Sequence, residues 1–268
     1  MLVQCGNLEL TVAPSAQAEF EQYRNWFTSY QQLLAARPQP LLAPEHAPLS
    51  PVAMRLECEQ PQGQFSLTWP HPKGDRKLIV CHQQLLRQLR SSVRQTGALF
   101  QAIGRRTRRV IDATSGWGGD AMLLAGNGLH VHCYERHPLF AMMQHNSYLV
   151  ARGDLPDAAI GSLPVLTFGD AVDAFAEVSG VDCVYLDPMF PPKRKQSAQS
   201  NKYMQVAQVL DGTGDSLQRL WEGVERSAVR RWVVKRPHYI APNFLTTGMR
   251  APSETFKAKL VHYDLYLR

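Results

Sequence analysis

From residue 109 to residue 186 the sequence alternates short apolar runs with stretches of helical periodicity, and this rhythm constrains the fold more than any other feature. The runs Arg109 to Ala113, Leu129 to Tyr134, Pro164 to Phe168 and Val181 to Leu186 have strand length and composition. Ala121 to Gly126, Pro138 to Arg152 and Ala171 to Val178 carry apolar residues at helical spacing between them. Strand and helix in strict alternation predict an α/β fold, a parallel sheet covered by helices on both faces. Further on, Asn201 to Arg226 holds two helical stretches, Arg231 to Lys235 reads as a strand, and Lys259 to Leu267 has strand composition. Ligands of such open sheets bind at the carboxyl ends of the strands, so the residues that follow each strand are the first candidates for a site.

The N-terminal part has a different texture. Ala16 to Ala36 reads as a helix, and the five prolines between Arg37 and Pro51 exclude regular helix and predict an extended connection. Ala53 to Cys58 and Gln64 to Trp69 flank Pro61-Gln62-Gly63 and suggest a small hairpin. We therefore expect an accessory domain over residues 1–80 and a main domain over 81–268. A basic helix, Leu85 to Ile103, leads into the latter. No apolar run approaches the ~18 residues that span a bilayer, and the first residues lack a signal-peptide pattern, so a cytoplasmic protein with no membrane association is expected. The five cysteines are far apart and the nine histidines show no ligand spacing, which argues against a disulfide framework and a metal site.

Charge is segregated along the chain. Residues 1–75 hold four basic against seven acidic side chains, although the whole chain carries +6. Arg76 to Ile111 contains nine basic residues, Arg105 and Arg106 among them, and no acid. Pro188 to Leu210, with Lys193, Arg194 and Lys195, and Arg226 to Ser253 are likewise acid-free. Such stretches favour a polyanionic partner, since Lys and Arg neutralising phosphates supply most sequence-independent nucleic-acid affinity. The alternative for any one stretch is a solvated helix face.

The acids, in contrast, fall at strand ends. Asp112 closes the first strand and is followed by Gly116, Gly118, Gly119 and Asp120, a glycine turn leading into a helix. The spacing is not GxGxxG, and an acid ahead of the turn would repel a pyrophosphate; a cationic ligand such as S-adenosylmethionine suits it better. Glu135, with Arg136 behind it, ends the second strand, where a carboxylate can bridge two ribose hydroxyls. After the third strand, Asp170 can accept a hydrogen bond from an adenine amino group and the amide of Ala171 can contact the ring. Each acid has a plainer role open to it as a helix cap or surface charge. The most specific segment is VYLDPMFPPKRK, Val184 to Lys195. An exocyclic base amine is a poor nucleophile because its lone pair is delocalised. Asp187 and the carbonyl of Pro188 could each accept one of its N–H groups and orient it, while Phe190 stacks on the base.

Taken together, AIGRRTRRVIDATSGWGGDAM, YERHP, VYLDPMFPPKRKQSA, RWVVKRPHY and HYDLYL resemble the bacterial small-subunit ribosomal RNA guanine-N2 methyltransferases of the RsmJ type, from about Leu99 to the C-terminus. The resemblance implies a class I methyltransferase fold, a seven-stranded Rossmann-like sheet with an antiparallel last strand. It further implies S-adenosylmethionine as cofactor, held by Gly119, Asp120, Glu135, Arg136, Asp170, Ala171 and Asp187, and 16S rRNA or the small ribosomal subunit as partner. Gly119 stands where that family commonly has an arginine, and residues 1–80 match poorly. A DNA amino-methyltransferase and a non-catalytic RNA-binding assembly factor on the same fold are the competing expectations. A nicotinamide-dependent dehydrogenase is disfavoured by the missing GxGxxG.

Overall fold

The computed structural model describes residues 1–36, 52–61, 63–82, 97–153, 163–175, 179–190, 206, 210, 216–242 and 249–268. Two sheets organise them. The first is built from the N-terminal region: β1 (Leu2–Cys5), β2 (Leu8–Val12), β3 (Val52–Glu59), β4 (Gln64–Trp69) and β5 (Arg76–Ile79), in that order across the sheet. Only β2 and β3 run parallel; the other neighbours are antiparallel. The expected hairpin is therefore the β3–β4 pair of a larger sheet. The remaining strands were not legible because β1 and β5 are four residues each and β5, Arg-Lys-Leu-Ile, is half charged.

Alternation decides the buried face of this sheet, with Leu8, Leu10 and Val12 of β2 and Leu56 of β3 inward. Against them pack α1 (Gln17–Glu21) and α2 (Arg24–Ala36), which sequence periodicity reads as one helix. The chain is interrupted at Gln22 and Tyr23 so that Phe20, Tyr23 and Phe27 all reach the core. Arg37 to Pro51, the proline-rich connection, lies outside the described residues.

The second sheet has seven strands in the order β11-β12-β10-β9-β6-β7-β8. β6 (Arg109–Asp112), β7 (His130–Glu135), β8 (Val165–Phe168), β9 (Cys183–Leu186) and β10 (Arg231–Pro237) are parallel, and β12 (Val261–Leu267) returns antiparallel to β10. The mixed sheet with an antiparallel C-terminal strand is as expected; β11 (Glu254–Lys257), short and polar, is the strand the sequence concealed. Neighbouring residues of one strand feed opposite layers. Val110 and Val233 join Leu99, Leu124 and Val131 on one face. Ile111 and Val234 join Phe175, Trp221 and Trp232 on the other. The first layer is closed by α3 (Ala98–Ile103) and α4 (Gly119–Gly126), the second by α6 (Ala171–Phe175) and α7 (Ser216–Arg226). Of the expected basic helix only Ala98–Ile103 is described.

Between the sheets lies α5 (Pro138–Gly153), buried on almost every side. Its Leu139, Phe140, Met142 and Met143 belong to the same apolar cluster as the N-terminal strands. Asn146 of this helix accepts from the Phe65 amide at 2.7 Å and donates to the Gly63 carbonyl at 3.0 Å, so it satisfies two backbone groups of the neighbouring sheet. A buried group left unpaired there would cost about 1–3 kcal/mol, which makes the docking of the two sheets specific. Among the described residues, no helix is long and apolar enough to cross a membrane.

Candidate active site

At the carboxyl ends of β6, β7, β8 and β9 the strands part around a cleft of about 520 Å³. Its floor is the turn after β6. Gly116 (φ +52°) and Gly118 (φ +79°) both adopt left-handed backbone, which turns the chain sharply from strand into α4. A Cβ on Gly118 would lie 2.7 Å from the Gln144 amide nitrogen and the Tyr148 hydroxyl of α5. This glycine is therefore required by packing beneath the loop, and it does not line the cleft, whereas Gly116, Gly119 and Asp120 do. Gly119 is exposed, with open space where a side chain would begin. The turn is braced from below: Ser115 donates its hydroxyl to Gln144 at 2.8 Å, and Gln144 donates to Tyr148 at 2.6 Å.

Five carboxylates line this cleft, and their partners differ. Glu135 is buried, its Oε2 accepting the Gly116 amide and its Oε1 the His137 amide, each at 2.7 Å, so the end of β7 is tied to the glycine turn. Asp170 caps α6 by accepting the Val172 amide at 3.1 Å and pairs with Arg219 at 3.2 Å. Asp112 is only 1% exposed and its one hydrogen bond among the described residues comes from the Thr114 amide at 3.2 Å. Burial, then the neighbouring Asp120, Asp187 and Glu135 charges, push its carboxyl well above the usual range. Asp187 accepts Lys235 Nζ on Oδ2 at 2.9 Å, while its amide donates to the Thr114 hydroxyl at 2.6 Å. Burial raises its pKa against the opposing pull of Lys235. Asp120 receives both the Tyr185 hydroxyl (2.6 Å) and Lys235 Nζ (2.7 Å) on one oxygen.

The remaining wall comes from the N-terminal region. Tyr30 of α2 lines the cleft and its ring lies 5.3 Å from that of His137, a buried imidazole whose pKa burial and then Arg136 lower to about 3, which keeps it neutral. Trp117 of the glycine turn meets Phe140 edge-on at 4.6 Å. Trp117 and Met189, one in the glycine turn and one in the Asp-Pro-Met-Phe segment, both pack on the apolar cluster of the N-terminal sheet.

A family model described as "Putative SAM-dependent methyltransferase" matches residues 59–268. A relative from Idiomarina loihiensis, named ribosomal RNA small subunit methyltransferase J, is 37% identical over 217 residues, 77% of this chain and 80% of its own. The chain belongs to the SAM-dependent methyltransferases of this J family. Relatives of the same name from Hahella chejuensis (40% identical) and Laribacter hongkongensis (38%) match 59% and 61% of this chain. The matched part spans 57% of the length of each of those two. A crystal structure of a SAM-dependent methyltransferase from Neisseria gonorrhoeae, 24% identical, covers 96% of this chain, and this chain covers 95% of it, at TM-score 0.62; the two share the fold.

The methyltransferase family's methyl donor is S-adenosylmethionine, and the cleft fits its chemistry. Several acids line one cavity with Lys235 among them, and Asp112 in particular is buried near like charges, an arrangement that a cationic ligand offsets. Of the residues expected from sequence, Asp112, Gly116, Gly119, Asp120, Glu135, Arg136, Asp170, Ala171, Asp187 and Pro188 line one cleft. Phe190 is partly exposed just beyond it. Arg105 and Arg106, counted above in the basic stretch Arg76 to Ile111, are exposed in the turn ahead of β6, at the opposite end of that strand from Asp112 and so away from the mouth of the cleft. Lys193, Arg194 and Lys195 lie outside the described residues. Sequence reasoning missed Lys235, Tyr185 and Thr114, which touch the acids, and Tyr30. Only Lys235 carried a signal, as a charged residue near the end of the apolar strand Trp232 to Val234.

Proposed function

We propose that this chain methylates the N2 amine of a guanine in 16S rRNA, with S-adenosylmethionine as donor. The observation that carries the reading is the position of Asp187-Pro188 at the carboxyl end of β9, directly beside the acid-lined cleft. The relatives' name supplies the substrate class. S-adenosylmethionine, when bound, supplies a methyl group on a sulfonium that is already an excellent leaving group. The work left to the protein is placement and polarisation of the amine.

Each strand end has a part in that work. Glu135, its orientation fixed by two backbone amides, accepts the ribose hydroxyls. Asp170 and the Ala171 amide take the adenine, while Asp112 and Asp120 offer negative charge to the cationic end of the donor with Gly116 and Gly119 allowing close approach. Arg136 follows Glu135 into the same wall. Asp187 and the Pro188 carbonyl accept the two N–H groups of the guanine amine, and Phe190 stacks on the base once it has left its helix. The amine nitrogen would supply the electron pair of the new N–C bond and become cationic, the bound donor leaving as its neutral thioether. Asp187 would receive the proton it then loses.

The decisive test offers the protein small-subunit particles, protein-free 16S rRNA and duplex DNA with methyl-labelled donor, then identifies the methylated nucleoside after digestion. N2-methylguanosine from either RNA is expected. N6-methyladenine from DNA would overturn the reading, and incorporation into none of the three would favour a non-catalytic RNA-binding role.

A further inference from the structure

Lys235 stands where nothing in its own strand calls for a charge. It follows Trp232, Val233 and Val234, all buried, and extends from the same face of β10 as Val233. The pairing of Val234 with Leu186 brings it level with Asp187 on the neighbouring strand, and on its other side it pairs with Tyr263 of β12. Its ammonium reaches Asp187 Oδ2 at 2.9 Å and Asp120 Oδ2 at 2.7 Å, with its side chain 21% exposed. One cation thus joins the segment assigned to the target base to the first turn of α4, which belongs to the donor side.

We propose that Lys235 is a positioning residue for methyl transfer: its ammonium anchors Asp187 through Oδ2 and holds that side chain as a carboxylate, which reserves Oδ1 to accept the target amine. Among the described residues, Oδ1 of Asp187 accepts no hydrogen bond. The inference rests on the methyl-transfer reading above. Its physical basis is that a protonated carboxyl donates where the amine needs an acceptor.

The charges around the pair make Lys235 necessary for this. Asp187 faces Asp120 from α4, Asp112 from β6 and, farther along the wall, Glu135 from β7; Tyr185 of β9 and Tyr263 of β12 are the neutral titratable groups packed against it. Burial alone pulls an ammonium's pKa down, yet the carboxylates of Asp187 and Asp120 raise that of Lys235 on balance, so it stays charged through the physiological range. Removing it leaves Asp187, Asp120 and Asp112 facing one another without the cation that pairs the first two. The least costly response is to bind a proton, as paired carboxylates do.

The test compares Lys235→Met, Lys235→Arg and Asp120→Asn with wild type in single-turnover transfer to small-subunit particles at saturating donor, from about pH 6 to about pH 9. Lys235→Met should transfer about 10²-fold more slowly near neutrality and recover much of the loss at the alkaline end, its acid limb displaced upward. Lys235→Arg should retain the wild-type limb. Asp120→Asn leaves Lys235 to Asp187 alone and should displace the limb downward, so the coupling is read even if the Met variant does not fold. Donor affinity by calorimetry should stay within about threefold in Lys235→Met. In the absence of donor, infrared difference spectra of that variant at neutral pH should show a protonated-carboxyl band that disappears when Asp187→Asn is added.

A loss of transfer equal at every pH, a wild-type profile in Lys235→Met, or a fall in donor affinity that accounts for the whole effect would overturn the inference. So would an unmoved or upward-shifted limb in Asp120→Asn. Wild-type protein that methylates no amine would instead overturn the underlying reading, and this is seen before any variant is compared.

Discussion

The two ends of the seven-stranded sheet carry opposite chemistry on the same strands. At the carboxyl ends, Asp112, Asp120, Glu135, Asp170 and Asp187 enclose one cleft. At the amino ends of β6 and β9, Arg105, Arg106, Arg108 and Arg109 are exposed, and Asp182 accepts the Arg108 and Arg109 amides at 2.7 and 2.9 Å. Those amide bonds, more than the arginine charges, hold Asp182 below the usual carboxylate range, while at the other end burial and like charges push Asp112 and Asp187 up. Water screens the arginines from one another, so that end costs little stability and acts at long range on a polyanion. Burial and neighbouring acids oppose the ionisation of Asp112 and Asp187, so that end carries an electrostatic cost that a cationic ligand or Lys235 offsets. The difference separates a surface suited to steering from a site suited to chemistry.

Breaking the acid end should have the largest effect. Asp187→Asn should reduce single-turnover methyl transfer by about 10²- to 10³-fold, the range for losing a preorganised group at the reacting atom. A variant within about tenfold of wild type would remove Asp187 from the reaction. Next in size, Glu135→Gln should weaken donor binding in calorimetry by about tenfold or more, since hydrogen bonds to a charged acceptor contribute about 1.5–3 kcal/mol. Donor affinity unchanged by this substitution would detach Glu135 from the ribose.

Asp112→Asn probes the unfavourable ionisation at the acid end directly. The folded-state pKa of Asp112 is raised, so its carboxyl favours the fold at low pH and loses that advantage as pH rises through the raised value. The variant, which keeps an acceptor for the Thr114 amide, should match the wild-type melting temperature in acid and exceed it progressively toward neutral and alkaline pH. Its donor affinity should fall. A constant difference at all pH values would show that the fold does not raise the pKa of Asp112.

The smallest effects belong to the basic surface. Charge reversal at Lys193 to Lys195, which follow the Asp-Pro-Met-Phe segment, should flatten the salt dependence of RNA binding by about one unit of slope per lost phosphate contact. Reversal at Arg105 and Arg106 should flatten it less, because the strand β6 separates them from the mouth of the cleft. Equal slopes for the two variants would mean that RNA wraps from one end of the sheet to the other.

Much of the site was legible because each strand end announces itself: an apolar run stops, and Asp112, Glu135, Asp170 or Asp187 follows. Arg105 and Arg106 show the limit of reading neighbourhood from the chain. A sequence records that they are near Asp112, but a parallel strand of four residues puts them at its far end. Lys235 was illegible as a site residue because its partners, Asp120 and Asp187, are 115 and 48 residues away. Gly118 read as a ligand contact, and only the approach of Gln144 and Tyr148 shows that packing demands it.

By itself, then, the sequence determined the parallel α/β sheet, the glycine turn and the series of acids, because periodicity and strand-end chemistry are local properties that need no partner to be expressed. Tertiary structure alone decided that β1, β2 and β5 complete a second sheet and that α5 is shared between the two. It also decided that Tyr30 walls the cleft and that one lysine links two carboxylates. These depend on contacts between residues distant in the chain, and short polar strands or a single charge acquire their meaning only from the surfaces that fold against them.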